Sequence, residues 1–270
     1  PVSSKETPAD DTDQLVRHRL RQLGVPESML DDIPVFEGLD GLLVYGSQAR
    51  GDAVETSDLD LLGLVQEPTT STRSGDVHLS YYTVEQLASG VGTLFGAHLK
   101  RDGVVLFDKR GELHAALDRM GPVDTALVHD RSRNMSQLFT TPDLDLPHYL
   151  PGLLREARYL LRSCLYASAI AAGQPCFSVR ELARRHGDPD LARLLASRHL
   201  KEPSAGDYSQ CLGRLEQLLG PLPASRHGSL EATIVNEWGR NGDLLSMAFM
   251  ALGASGAEVD DYAEVEKVLL

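Results

Sequence analysis

The chain has 270 residues, 42% hydrophobic and 24% charged, which is ordinary for a globular protein and long enough for one large domain or two modest ones. No apolar run approaches the roughly 18 residues that cross a bilayer, and residues 1–13 are polar and acidic rather than basic and then apolar, so a soluble, cytoplasmic protein without a membrane partner is expected. The formal net charge of -13 repels a phosphate backbone unless basic residues gather on one face, which puts small molecules or a protein partner ahead of long nucleic acid.

Residues 1–12 lack periodicity and are rich in Pro, Ser, Asp and Thr, which predicts a disordered tail. Leu15, Val16, Leu20 and Leu23 then mark one face of a helix, with Thr12 or Asp13 to cap it and Gly24 to end it. The apolar run 42–45, closed by Gly46, predicts a buried strand, and the nearly continuous run 59–65 predicts a second one covered on both faces. Val77, Leu79 and Tyr81 alternate with Asp76, His78, Ser80 and Tyr82, the pattern of a half-buried strand with a polar face. Thr83 and Gln86 form a capping box for a following helix, residues 104–107 predict one more strand, and a helix follows around 112–120.

The turn-rich stretch 140–147 interrupts this pattern, and no convincing strand follows it. Leu153, Leu154, Ala157, Leu160, Leu161, Cys164 and Leu165 form one helical stripe, and Leu212, Leu215, Leu218 and Leu219 form another. Ser178 is placed to cap a helix through Glu181, and a further helix is expected over about 232–252. The predicted fold is α+β: a small mixed β-sheet domain over 13–142 followed by an all-helical bundle over 143–270. Cys164, Cys176 and Cys211 are too few and too scattered for a disulfide framework or a closed zinc site, so buried, reduced thiols are expected.

The chemistry concentrates in residues 42–65, LLVYGSQARGDAVETSDLDLLGLV. Gly46 ends a strand and lets backbone amides approach a phosphate, while Ser47 adds a hydroxyl donor at a helix start that suits an anion. Arg50 lies about one helical turn on, where its guanidinium either returns to the same phosphates or makes a surface ion pair. Asp58 and Asp60, two apart on a strand, leave the same face with Cα atoms about 6.6 to 6.8 Å apart. Two hard oxygen ligands around one space suit magnesium, which keeps positions open for water and substrate phosphates.

This order of parts, apolar strand, G-S-x-A-R-G-D, short helix, S-D-L-D-L and second apolar strand, resembles the signature of the polymerase-β-like nucleotidyltransferase superfamily over about residues 35–110. The resemblance implies an enzyme that moves a nucleoside monophosphate from a nucleoside triphosphate such as ATP to an acceptor, with two magnesium ions and loss of pyrophosphate. It makes Gly46, Ser47 and Arg50 triphosphate-binding residues and Asp58 and Asp60 catalytic metal ligands. Members usually carry a third acidic residue on a neighbouring strand, and here the chain departs: the strand 76–82 resembles the one carrying it in kanamycin-type enzymes, yet His78 falls at that position. Asp76 shares its face, so Asp76 and His78 are both candidates for the third catalytic position, with a strand-edge turn and a hydrogen-bonded strand histidine as the plain alternatives.

The acceptor expected first is a small hydroxylated molecule of the aminoglycoside type, which an acidic protein attracts. A toxin-like enzyme acting on transfer RNA or protein, and a fold that has lost catalysis and serves as a binding or antitoxin module, are the alternatives. Within the helical half, residues Arg155, Glu156, Arg158, Tyr159 and Arg162 occupy a helix start from which kanamycin-type enzymes draw acceptor-binding groups, or are ordinary helix-surface neighbours. Arg193 and His199 have the R-x5-H spacing of certain ribonuclease toxins, a spacing that Arg-rich helices also produce by chance.

Overall fold

In the computed structural model, residues 8–34, 38–142, 144–195 and 203–253 are described. The chain divides into two compact units between Pro122 and Val123. The first unit runs α1 (Pro8–Gln22), α2 (Glu27–Asp31), β1 (Gly41–Tyr45), α3 (Gly46–Arg50), β2 (Leu59–Leu64), β3 (Thr72–Ser74), β4 (Val77–Tyr82), α4 (Val84–Ala88), α5 (Leu94–Asp102), β5 (Val104–Asp108) and α6 (Glu112–Arg119). Its five strands lie in the order β3-β4-β2-β1-β5. The β2–β4 pair is parallel and the other three pairs are antiparallel, so the sheet is mixed.

Side chains alternate across this sheet. Leu42, Val44, Leu59, Leu61, Val77, Leu79 and Leu106 pack with Val16 and Leu20 of α1 and Met29 and Leu30 of α2. The opposite face carries Leu43, Tyr45, Asp60, Leu62, His78 and Ser80. There the ring of Phe95 on α5 meets Tyr45 and Tyr82 at centroid distances of 6.0 and 5.8 Å. Covering on both faces explains why β1 and β2 read as nearly unbroken apolar runs.

Several expectations change. Helix α1 begins at Pro8, so Asp13 lies inside it and pairs with Arg17 at 2.7 Å instead of capping; residues 1–7 of the expected tail lie outside the described residues. Leu15 is 43% exposed, because the buried ridge runs through Val16 and Leu20. The polar side of β4 is covered: His78 and Ser80 are buried. Strand β3 was not read from the sequence, since all three of its residues are exposed and it pairs only with β4. Helix α5 is not among the elements the sequence predicts, although Thr93 caps it by accepting from the Gly96 amide at 3.0 Å. The capping box of Thr83 and Gln86 at α4 is present.

The second unit is helical: α7 (Thr125–Ser136), a single 3-10 turn over 137–140, α8 (Leu146–Ala171), α9 (Val179–Arg185), α10 (Pro189–Leu195), α11 (Ala205–Leu219), α12 (Leu230–Glu237) and α13 (Gly242–Gly253). A boundary at 142 puts α7 with the sheet. In the structure α7 buries Val128 and Met135 and ties itself to α13 through Arg131, whose Nε and Nη2 donate to Asp243 at 2.7 and 2.8 Å. Helix α8 is the axis of this unit, and the stripe from Leu153 to Leu165 is buried throughout. Ser178 caps α9 through the Glu181 amide, as expected. The single helix expected over 232–252 is two, because Gly239 takes φ +71, a left-handed conformation that ends the first. All three cysteines are free and buried. Among the described residues, no helix is long and apolar enough to cross a membrane.

Candidate active site

Strand β1 delivers Gly46 beside the start of β2, since the antiparallel register sets Tyr45 opposite Asp60. Gly46 has φ +76, and a Cβ built on it would lie 2.7 Å from the Asp60 Oδ2. Both the backbone and the carboxylate therefore require glycine here. Ser47 follows in the first turn of α3 and is half-buried.

The Asp58 side is fixed by a turn. The Val54 amide donates to Ser57 Oγ at 2.8 Å, and the Ser57 amide donates back to the Val54 carbonyl at 2.8 Å. Immediately after Asp58, the Leu59 amide donates to the Asp76 carbonyl at 2.8 Å, which anchors β2 on the strand beside it. Asp58 and Asp60 are both half-buried, with a dry hydrocarbon neighbour, Leu59, between them.

The parallel register sets His78 directly across from Asp60, so Tyr45, Asp60 and His78 form a row on one face over β1, β2 and β4. His78 is 8% exposed. Asp76 lies in the exposed turn before β4, one register step from Val77, which pairs with Leu59. Of the two candidates for the third position, His78 is thus the one that neighbours Asp60 within the sheet. Among the described residues, no three His, Cys, Asp or Glu side chains converge as a set able to hold a metal ion. Asp58 and Asp60 carry carboxylate oxygens, the donor type a hard cation takes, and Gly46 leaves room for the Asp60 carboxylate.

Arg50 turns toward α5. Its Nη1 lies 3.2 Å from His98 Nε2 and 3.3 Å from Asp102 Oδ2, and its Nε lies 3.2 Å from Asp52 Oδ1. Burial first, and then the charges of Arg50 and Arg101, push the His98 pKa down to about 3, so its ring is neutral. Burial likewise raises the Asp102 pKa, against the pull of Arg101 and Arg50. His98 and Asp102 were missed by sequence reading. Their i,i+4 spacing was the available signal once α5 is recognised as a helix.

In the helical unit, Glu156 is fully buried and paired with Arg155 at 2.9 Å, which removes it from the helix surface. Arg162 Nη2 donates to the Leu195 carbonyl at 3.1 Å, and Arg158 lies 3.8 Å from Asp207. Arg193 pairs with Asp207 at 3.0 Å, and His199 lies outside the described residues. Burial raises the thiols of Cys164 and Cys211 to about 11 and about 12, which makes both unreactive.

No protein-family model matches the chain, and no curated protein matches it. Among solved structures, it is similar to a nucleotidyltransferase-like protein from Exiguobacterium sibiricum, with 17% identity over 77% of this chain and 74% of that one and a TM-score of 0.28.

Proposed function

We propose that the protein binds a nucleoside triphosphate on magnesium at Gly46, Ser47, Asp58 and Asp60 and transfers a nucleoside monophosphate to an acceptor hydroxyl. The observation that carries this reading is the fit of Gly46 to Asp60, in which a left-handed glycine leaves the space that the carboxylate fills. Asp58 and Asp60 would hold the cation, two ions in the full reading, with water and phosphate oxygens completing the coordination. Bound magnesium supplies charge neutralisation at the triphosphate. The Gly46-Ser47 backbone and the Ser47 hydroxyl orient the triphosphate. The acceptor oxygen forms a bond to the α-phosphorus, the bond to the bridging oxygen breaks, and pyrophosphate leaves. His78, beside Asp60, takes the acceptor proton; Asp76, exposed at the strand edge, is the weaker candidate.

A small polycationic hydroxylated acceptor of the aminoglycoside type is supported by the net charge of -13. Pyrophosphate release with magnesium, each of the four triphosphates and either an aminoglycoside panel or total transfer RNA tests the reaction and its acceptor. Pyrophosphate release with transfer RNA and not with the aminoglycoside panel selects the toxin-like alternative. A second reading, a fold that binds nucleotide without transfer, is supported by the lack of a three-ligand cluster among the described residues. Triphosphate binding with no pyrophosphate release on any acceptor decides for it.

A further inference from the structure

Arg50 has the sequence position of a phosphate ligand and the surroundings of a brace. Its side chain is 16% exposed, and its partners Asp102 and His98 are 6% and 5% exposed. Arginine only donates, so His98 Nε2 accepts from it and the imidazole proton sits on Nδ1. Asp102 also meets Arg101 at 3.4 Å. Two arginines thus face two carboxylates, Asp52 and Asp102, and the local charge is balanced. Withdrawing Arg50 toward a phosphate would strip the buried Asp102 of an ion-pair partner, an unfavourable exchange.

Helix α3 has five residues, too few to hold its shape alone, so its position depends on what grips it. Gly46 and Ser47 form its first turn and Arg50 its last. We infer that Asp102, aided by His98, is a positioning residue for the nucleotide site: it holds Arg50, and Arg50 fixes α3 so that Gly46 stays seated against Asp60. The inference rests on the nucleotide reading above for its functional consequence, and on the Arg50 contacts alone for its structural one.

The test is a double-mutant cycle on Arg50→Ala, Asp102→Ala and the double variant. Magnesium with nonhydrolysable triphosphates of all four bases is titrated calorimetrically, and amide exchange is followed across residues 46–50. A brace predicts that each single variant weakens binding about tenfold and that the double variant is no weaker than either. It also predicts faster exchange in α3 for both single variants, and recovery of most of the loss in Arg50→Lys, which can still pair with Asp102. Unchanged binding in Asp102→Ala with a loss in Arg50→Ala makes Arg50 a direct phosphate ligand and overturns the inference, as do additive losses or wild-type behaviour of Arg50→Ala. Should an alanine variant fail to fold, Asp102→Asn and Arg50→Gln carry the same comparison. If the wild-type protein binds no triphosphate, the nucleotide reading alone fails, and unchanged α3 exchange in Asp102→Asn is then the result that overturns the brace.

Discussion

Gly46 is constrained by its backbone and by its neighbour at once. Adding a methyl group there costs about 1–2 kcal/mol for the left-handed conformation, and the new carbon would also displace the Asp60 carboxylate, 2.7 Å away. Gly46→Ala is therefore expected to lower the melting temperature modestly and to abolish magnesium-dependent triphosphate binding, measured by calorimetry on the folded variant. His98 makes a prediction in pH. Its folded pKa of about 3 lies below the ordinary histidine value of 6.5, so the unfolded chain binds the extra proton first as pH falls. The stability this ring contributes is complete above pH 6.5 and is lost toward pH 3, at roughly 1.4 kcal/mol per pH unit at most. In His98→Gln, whose amide oxygen can still accept from Arg50, that part of the acid sensitivity should vanish in denaturant titrations at pH 7, 6 and 5. The nearness of Gly46 to Asp60 was legible in the sequence because one strand-turn-strand segment holds both. Asp102 and His98 were not, because Arg50 meets them 52 and 48 residues away in the chain.

At the scale of elements, the strands that periodicity announces are those with both ends of the argument in their own sequence. β1 and β2 are continuous apolar runs because helices cover both faces of the sheet. β4 misled, since His78 and Ser80 look like an exposed face and are buried, a fact decided by tertiary packing and not by the strand. β3 exists through its partner alone. The short helix α3 shows the same dependence, and in turnover assays His78→Gln is expected to reduce the rate about a hundredfold or more if its ring takes the acceptor proton. In the helical unit, the middle of α8 was legible because its buried stripe repeats from Leu153 to Leu165, whereas its first residues, Leu146 and Pro147, lie in the turn-rich stretch 140–147 that reads as an interruption. Gly152 on that helix is backed by the Ala251 carbonyl of α13, with no room for a side chain. Gly152→Ala should push the two helices apart and cost about 3 kcal/mol of stability, seen as a lowered unfolding midpoint.

For the whole molecule, the order of a mixed sheet followed by helices was readable, while the division after Pro122 was not. The sequence reading took the turn-rich stretch 140–147 as the boundary, but the buried face of α7 and its Arg131–Asp243 pair commit that helix to the second unit. Composition reaches further than the fold does: a net charge of -13 predicts that a polycationic acceptor binds more weakly as salt rises, which titrations at low and high ionic strength would measure. The proposed function rests on Asp58 and Asp60 holding a metal-bound triphosphate beside Gly46. Calorimetric titration of the wild-type protein and of Asp58→Asn and Asp60→Asn with nonhydrolysable triphosphates, with and without magnesium, tests it most directly. Binding that requires magnesium and is lost in both variants is the expected result; binding indifferent to magnesium or to either substitution, or no binding at millimolar ligand, would contradict it.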